Sequence, residues 1–202
     1  MSTSRPVIIG ITGNIACGKS LVTRTLGDLG AETIDADDVV REVTAVGTPA
    51  YHRIVEAFGP ELVLPGGAID RRRLGEIVFA DPGALARLEA IVHPPVVETV
   101  RQRIRTSRSR VVVVDAIKLL ESRLAAECDE IWVVTCDPDQ QLQRLMARNG
   151  YSREQALQRI TAQPSQAEKI ALASRVIDNT GSIEATVALV RSAAASLPLG
   201  NT

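Results

Sequence analysis

The chain has 202 residues, of which 45% are hydrophobic and 23% charged, with a formal net charge of −1. That balance gives one globular domain of ordinary size with an ample apolar core, and it excludes a broad basic field for DNA or anionic lipid. Only 2% of the residues are aromatic, so the core must be built from Val, Ile, Leu and Ala, and stacking platforms for single-stranded nucleic acid are excluded too. The three cysteines, Cys17, Cys128 and Cys136, are odd in number and lack C-x-x-C spacing. A reducing compartment is expected, without a disulfide framework or zinc site. The apolar run near the N-terminus is too short for a signal sequence or a membrane span. The expectation is a cytoplasmic protein with neither nucleic-acid nor membrane partner; oligomeric state is left open, with a monomer favoured.

The predicted elements follow in chain order. Val7–Thr12 is a short β-branched apolar run and reads as a buried strand. A glycine-containing turn leads into a helical pattern over Lys19–Leu29, and Ala31–Asp35 is a second strand. A mostly helical stretch, about 37–110, is too long for a simple crossover and predicts a substrate-covering helical subdomain. Val111–Val114 is a run of four valines suited to a strand buried on both faces. Glu130–Thr135 and Arg175–Asp178 complete five strands separated by helices, which predicts an α/β fold with a parallel sheet. Asp137-Pro138 opens one helix with a cap and a proline at its first position. Ser152-x-x-Gln155 is a capping box for a helix running toward Gln163. Ser182 caps the last helix, which Pro198 ends, leaving 198–202 as a frayed tail.

The sharpest motif is Gly13-Asn14-Ile15-Ala16-Cys17-Gly18-Lys19-Ser20, a complete G-x-x-x-x-G-K-S between a strand and a helix. Glycines let successive N–H groups turn inward around a phosphate, and the helix N-terminus adds partial positive charge. Lys19 reaches the β- and γ-phosphates, and the Ser20 hydroxyl is placed to ligate Mg²⁺. The expected nucleotide-binding set is Gly13 through Leu21.

Such a loop serves kinases, switches and motors alike. No N-K-x-D guanine motif is present, and Asp115 at the end of the valine strand is followed by Ala116 rather than a water-activating Glu. A small-molecule kinase needs an acceptor-side base, a strand carboxylate near Mg²⁺ and arginines for the transferring phosphoryl group. Asp35-Ala36-Asp37 follows the second strand, where Asp37 would serve as base, as helix cap, or as both. Asp115 is the metal-side carboxylate. Arg144 and Arg148, one helical turn apart before the capped helix, look like part of a lid hairpin or a solvated face. Cys17 reads as a small loop residue near a helix N-terminus; Asn14 tolerates positive φ better than most residues and Ala16 is small, so the loop should keep its form.

These residues resemble the dephospho-CoA kinase family over nearly the whole chain. The resemblance rests on GITGNIACGKS (10–20), IDADDVVREV (34–43), IDRRRLGEIVF (69–79), IVHPPV (91–96), QLQRLMARNG (141–150), RITAQ (159–163) and VIDNTGS (176–182). It implies a P-loop kinase fold in which a five-stranded parallel sheet flanked by helices carries a helical CoA-binding subdomain and a lid, about 138–172. It also implies ATP as phosphoryl donor, Mg²⁺ as cofactor, and phosphorylation of the 3′-hydroxyl of dephospho-CoA to give CoA. A nucleoside or nucleoside-monophosphate kinase is the alternative. The family pattern matches Asp37 to the general base, Lys19 to the phosphate lysine and Arg144 to the lid arginine. Arg41, Arg71 and His93 fall at acceptor-side positions, with His93 also able to fix a bend before Pro94. Two departures stand out. The family loop usually reads GGIGSGKS, where this chain has Asn14, Ala16 and Cys17. The segment after Asp115 loses its usual proline and gains Lys118, a cation expected beside the acceptor, while Glu121 keeps its place.

Overall fold

The computed structural model describes residues 5–199. In chain order its elements are β1 (Val7–Thr12), α1 (Lys19–Asp28), β2 (Glu32–Asp35), α2 (Ala36–Val43), α3 (Pro49–Phe58), α4 (Arg71–Ala80) and α5 (Pro82–Thr106). They continue as β3 (Val111–Asp115), β4 (Glu130–Thr135), α6 (Pro138–Asn149), α7 (Arg153–Thr161), α8 (Gln166–Ala171), β5 (Arg175–Asp178) and α9 (Ile183–Ala194). The chain divides into two compact units, residues 36–103 and the remainder.

In the larger unit the five strands form one parallel sheet in the order β2-β3-β1-β4-β5. The interior strand β3, between β2 and β1, is the valine run, and Val111 to Val114 are all buried, as a strand covered on both faces requires. One face gathers Ile9, Ile11, Val111, Val113, Trp132, Val134 and Ile177 against Val22 and Leu26 of α1 and Val190 and Ala194 of α9. Alternate residues of each strand share that face because successive side chains point to opposite sides. Burying each such aliphatic side chain contributes about 1.5–3 kcal/mol, so this layer holds the sheet's carboxyl edge in place. The expected fray at the C-terminus is corrected here: Leu197 and Leu199 pack on the core, because the chain still has apolar surface to cover after α9 ends. Residues 200–202 lie outside the described chain.

Local caps set the helix starts. The Asp137 carboxylate accepts from Asp139 N and Gln140 N at 2.9 and 3.1 Å, with Pro138 supplying the first helical position of α6. Ser152 and Gln155 form the reciprocal capping box of α7, which ends at Thr161. The Ser182 hydroxyl accepts from Ala185 N at 3.2 Å at the start of α9.

The smaller unit, 36–103, contains α2, α3, α4 and most of α5. Thr48 and Asp70 cap α3 and α4 through their side chains. Tyr51 donates its hydroxyl to Gly67 O at 2.6 Å, and Arg87 stacks over Phe58 at 5.7 Å. A helix break at His93-Pro94 does not occur: α5 continues through Pro94 and Pro95 as helix. A proline removes one i→i−4 hydrogen bond each, which a 25-residue helix with buried Ile91, Val92, Val96 and Val100 outweighs.

Candidate active site

The site is built where β1 passes into α1. Gly13 cannot carry a side chain, since a Cβ there would lie 2.4 Å from Val134 O. Gly18 takes φ 89° immediately before α1, and a Cβ would lie 2.0 Å from Asn179 Nδ2. The remaining left-handed position falls on Ala16, φ 62°, and not on Asn14. Asn14 instead uses its side chain, donating Nδ2 to Pro164 O at 3.1 Å while its Oδ1 is buried without a partner. No side chain caps α1 and no acidic residue enters its first turn, which leaves that helix end suited to an anion.

The loop is braced from distant parts of the chain. Gln163 Oε1 accepts from Ile15 N at 2.8 Å, and Gln141 Nε2 donates to Ile15 O at 2.8 Å. Asn179 Nδ2 donates to Cys17 O at 2.8 Å, while its Oδ1 accepts from Thr186 Oγ1 at 2.8 Å. Backbone bonds hold Asn179 in turn: its N–H donates to Thr135 O and its carbonyl accepts from Arg144 Nη2 at 3.0 Å. Nη1 of Arg144 is buried without a partner. Gln141, Gln163 and Asn179 were given no role from the sequence, although each lies in a segment that carried the family resemblance.

Lys19 opens α1 with its ammonium 3.7 Å from Asp115 Oδ1, and Thr23 Oγ1 donates to Asp115 Oδ2 at 3.0 Å. Ser20 is exposed in the first turn of the same helix, so its hydroxyl and the Asp115 carboxylate are oxygen donors of the kind Mg²⁺ takes. Among the described residues no group of three or more His, Cys, Asp or Glu forms a metal cage. Leu21 follows on α1, its N–H bonded to Gly18 O at 3.0 Å.

Cys17 and Cys136 are both buried, with a thiol–thiol hydrogen bond of 3.3 Å between their sulfurs. That bond and burial push the Cys17 thiol up, whereas the same bond and the Arg144 guanidinium draw Cys136 down. A buried Cys17 with a raised pKa is a packing residue of the loop, as expected of a small residue there.

The acceptor-side residues are placed as follows. Asp37 and Asp38 lie in the first turn of α2, beyond Asp35 at the end of β2. The helix starts at Ala36, so strand alternation does not separate Asp35 from Asp37, and Asp37 is a first-turn residue rather than the cap. Arg41, on the same helix, pairs with Asp38 on an exposed surface. Arg71 donates Nη2 to Thr44 Oγ1 at 3.0 Å. His93 is exposed on α5, and Lys118 is exposed in the segment after β3.

A parallel sheet with a braced G-x-x-x-x-G-K-S turn leading into an uncapped helix, and a strand-end carboxylate beside its lysine, defines a P-loop phosphotransferase. The model of the CoaE, dephospho-CoA kinase, family matches residues 7–185, and the chain belongs to that family. It is 46% identical over 182 residues to the dephospho-CoA kinase of Carboxydothermus hydrogenoformans, covering 89% of this chain and 88% of that protein. The dephospho-CoA kinase of Geobacter sulfurreducens is 48% identical over 180 residues, covering 88% and 91%. Among solved structures, TT1252 from Thermus thermophilus superposes with a TM-score of 0.84 at 34% identity, covering 96% of this chain and 99% of that one.

Proposed function

We propose that the protein transfers the γ-phosphoryl group of ATP to the 3′-hydroxyl of dephospho-CoA, giving CoA and ADP. Membership of the dephospho-CoA kinase family states the activity; the observation that carries its local assignment is the phosphate loop braced by Gln141, Gln163 and Asn179. Preorganised N–H groups stabilise charge on a transferring phosphoryl without rearranging during the reaction. Lys19 neutralises the β- and γ-phosphates. The O3′–phosphorus bond forms as the bond to the β–γ bridging oxygen breaks, and the hydroxyl proton passes to the Asp37 carboxylate. The bridging oxygen leaves with ADP. Ser20 and Asp115 would hold Mg²⁺, which supplies charge neutralisation on phosphate oxygens when bound. Arg144 has one guanidinium nitrogen committed to Asn179 and a second one unpaired, and that second nitrogen is assigned to the phosphate chain. Arg41, Arg71, His93 and Lys118 are assigned to the acceptor.

The protein is further proposed to act as a cytoplasmic monomer on this small molecule, with no nucleic-acid or membrane partner. No helix of the described residues is long and apolar enough to cross a membrane. The test is kcat/KM with Mg-ATP for dephospho-CoA, adenosine, AMP and dCMP, with the product identified as CoA. Dephospho-CoA should lead by a wide margin, because its pantetheine arm and pyrophosphate offer binding energy that truncated acceptors lack. A nucleoside monophosphate leading by about tenfold would overturn the acceptor assignment.

A further inference from the structure

The helix α8 carries a lysine that the reaction as described leaves unused. Lys169 is 3% exposed, the most completely buried cationic side chain among the described residues. Its ammonium has one hydrogen bond, a long 3.5 Å contact to Ile117 O. That carbonyl is already engaged, accepting from Thr12 Oγ1 at 2.9 Å. Lys169 therefore holds a share of one neutral acceptor, and it makes no ion pair. An ammonium has three donors and is costly to bury unless they are satisfied.

Its surroundings explain why the cost is tolerated. The charged and titratable groups facing it are Glu121 from the segment after β3, Lys19 at the start of α1, and Cys17 in the phosphate loop. Burial pulls the Lys169 ammonium below the ordinary lysine value; Glu121 opposes this, Lys19 adds to it, and Cys17 opposes it. Helix α8 is fixed against the loop region: Gln166 Nε2 donates to Cys136 O at 3.3 Å, and the Cys17 thiol points to Gln166 Oε1 at 3.9 Å. The Asp115 carboxylate pairs with Lys19, whereas Lys169 has only a long share of the Ile117 carbonyl, so the shortfall of acceptors lies at Lys169, and a phosphate oxygen of the nucleotide chain fills it.

The geometry points to Lys169 as a second phosphate-binding cation of the nucleotide site, acting with Lys19 on the phosphate chain of a nucleoside di- or triphosphate. This rests on the ATP-dependent reading given above and names a residue of that same site. Without nucleotide the buried ammonium is under-satisfied; with nucleotide, phosphate oxygens supply its missing acceptors. Lys169 thus opposes folding of the empty protein and favours the loaded one. A lysine kept only for structure has the opposite signature.

The experiment measures dissociation constants for ATP, ADP and adenosine, and thermal stability without nucleotide, in the wild type, Lys169→Met and Lys169→Arg. Lys169→Met should weaken ATP and ADP by about 10- to 100-fold, the span of a charged hydrogen bond, and leave adenosine within about twofold. Its nucleotide-free melting temperature should hold or rise, since Met fills similar volume without a buried charge. Lys169→Arg should recover part of the ATP affinity. If Lys169→Met is destabilised, the ratio of ATP to adenosine affinity still decides, because a structural lysine leaves that ratio at the wild-type value. An unchanged ratio overturns the assignment. If wild type itself fails to bind ATP, the kinase reading and this one fall together; if wild type binds ATP and makes CoA while the variant's ratio is unchanged, only Lys169 is overturned.

Discussion

The phosphate loop and the helical unit 36–103 hold their site residues in opposite ways. Asn14, Cys17 and Asn179 are buried, and the loop's backbone groups are bonded by side chains more than a hundred positions away. Asp37, Arg41, Arg71 and His93 are exposed, and the partners of Arg41 and Arg71 lie in their own unit. A polyanion is best met by dipoles fixed in advance, because reorganising them during transfer raises the barrier. Exposed side chains on helices can instead exchange their present partners for an acceptor when it arrives. Substitutions of the residues that brace the loop should therefore couple nucleotide affinity to stability, and substitutions in the helical unit should leave nucleotide affinity unchanged.

The largest effect is expected at Lys19. Lys19→Ala should lower kcat/KM a few hundredfold, about 3–4 kcal/mol, by analogy with loss of one preorganised donor, while the melting temperature stays close to that of wild type. Near-normal turnover in this variant would remove the loop from the chemistry. Next is Asp37→Asn, expected to reduce kcat about a hundredfold as loss of a general base does, with KM for ATP unchanged. A matching fall in stability with full turnover would show a first-turn carboxylate serving only the dipole of α2. Asn179→Ala tests the brace itself. It leaves the Cys17 carbonyl and Thr186 hydroxyl without their buried partner, so about 2 kcal/mol of stability should go, together with a higher KM for ATP. Stability lost without any change in ATP binding would separate the brace from the cradle.

Ala16→Gly should stabilise the protein by about 1 kcal/mol, because an L side chain at φ 62° carries a penalty that glycine lacks. Destabilisation in a melting experiment would mean that the Ala16 methyl, which packs with Ile15 against Leu142 and Leu145, outweighs the strain. The smallest effect lies at the far edge of the sheet. Glu130, at the start of β4, accepts from Arg175 Nε at 2.7 Å, and that guanidinium holds its carboxyl below the ordinary value near 4.5. A depressed folded-state pKa gives stability that is complete above 4.5 and lost as pH falls through the lower folded value. The pair is partly exposed, so Glu130→Gln should cost only about 0.5 kcal/mol at neutral pH, a difference that closes on acidification. A constant difference across that window would assign the effect to the bond between Glu130 and the Trp132 indole instead.

Much of this was legible in the chain itself. The apolar runs, the valine strand, the caps at Asp137, Ser152 and Ser182, and the G-x-x-x-x-G-K-S turn are short-range patterns, and each produced the expected element. Where expectation failed, the competing influence was distant. His93-Pro94 read as a bend because a proline disfavours helix at the preceding residue, yet the buried face of α5 carried the helix through. Asn14 has an intrinsic tolerance of positive φ, but Pro164 engages its amide and the positive φ falls on Ala16.

By itself, then, the sequence determined what depends on neighbours within a turn or two: strand and helix identity, the phosphate-binding turn, and the family pattern that names the acceptor. Only the tertiary structure decided which atoms brace that turn. The Asn179 amide on Cys17, the Gln163 side chain on Ile15 and the Lys169 ammonium beside Ile117 each join residues far apart in the chain. No local periodicity records such pairings, because they form only when the parallel sheet brings the carboxyl ends of its strands to one edge.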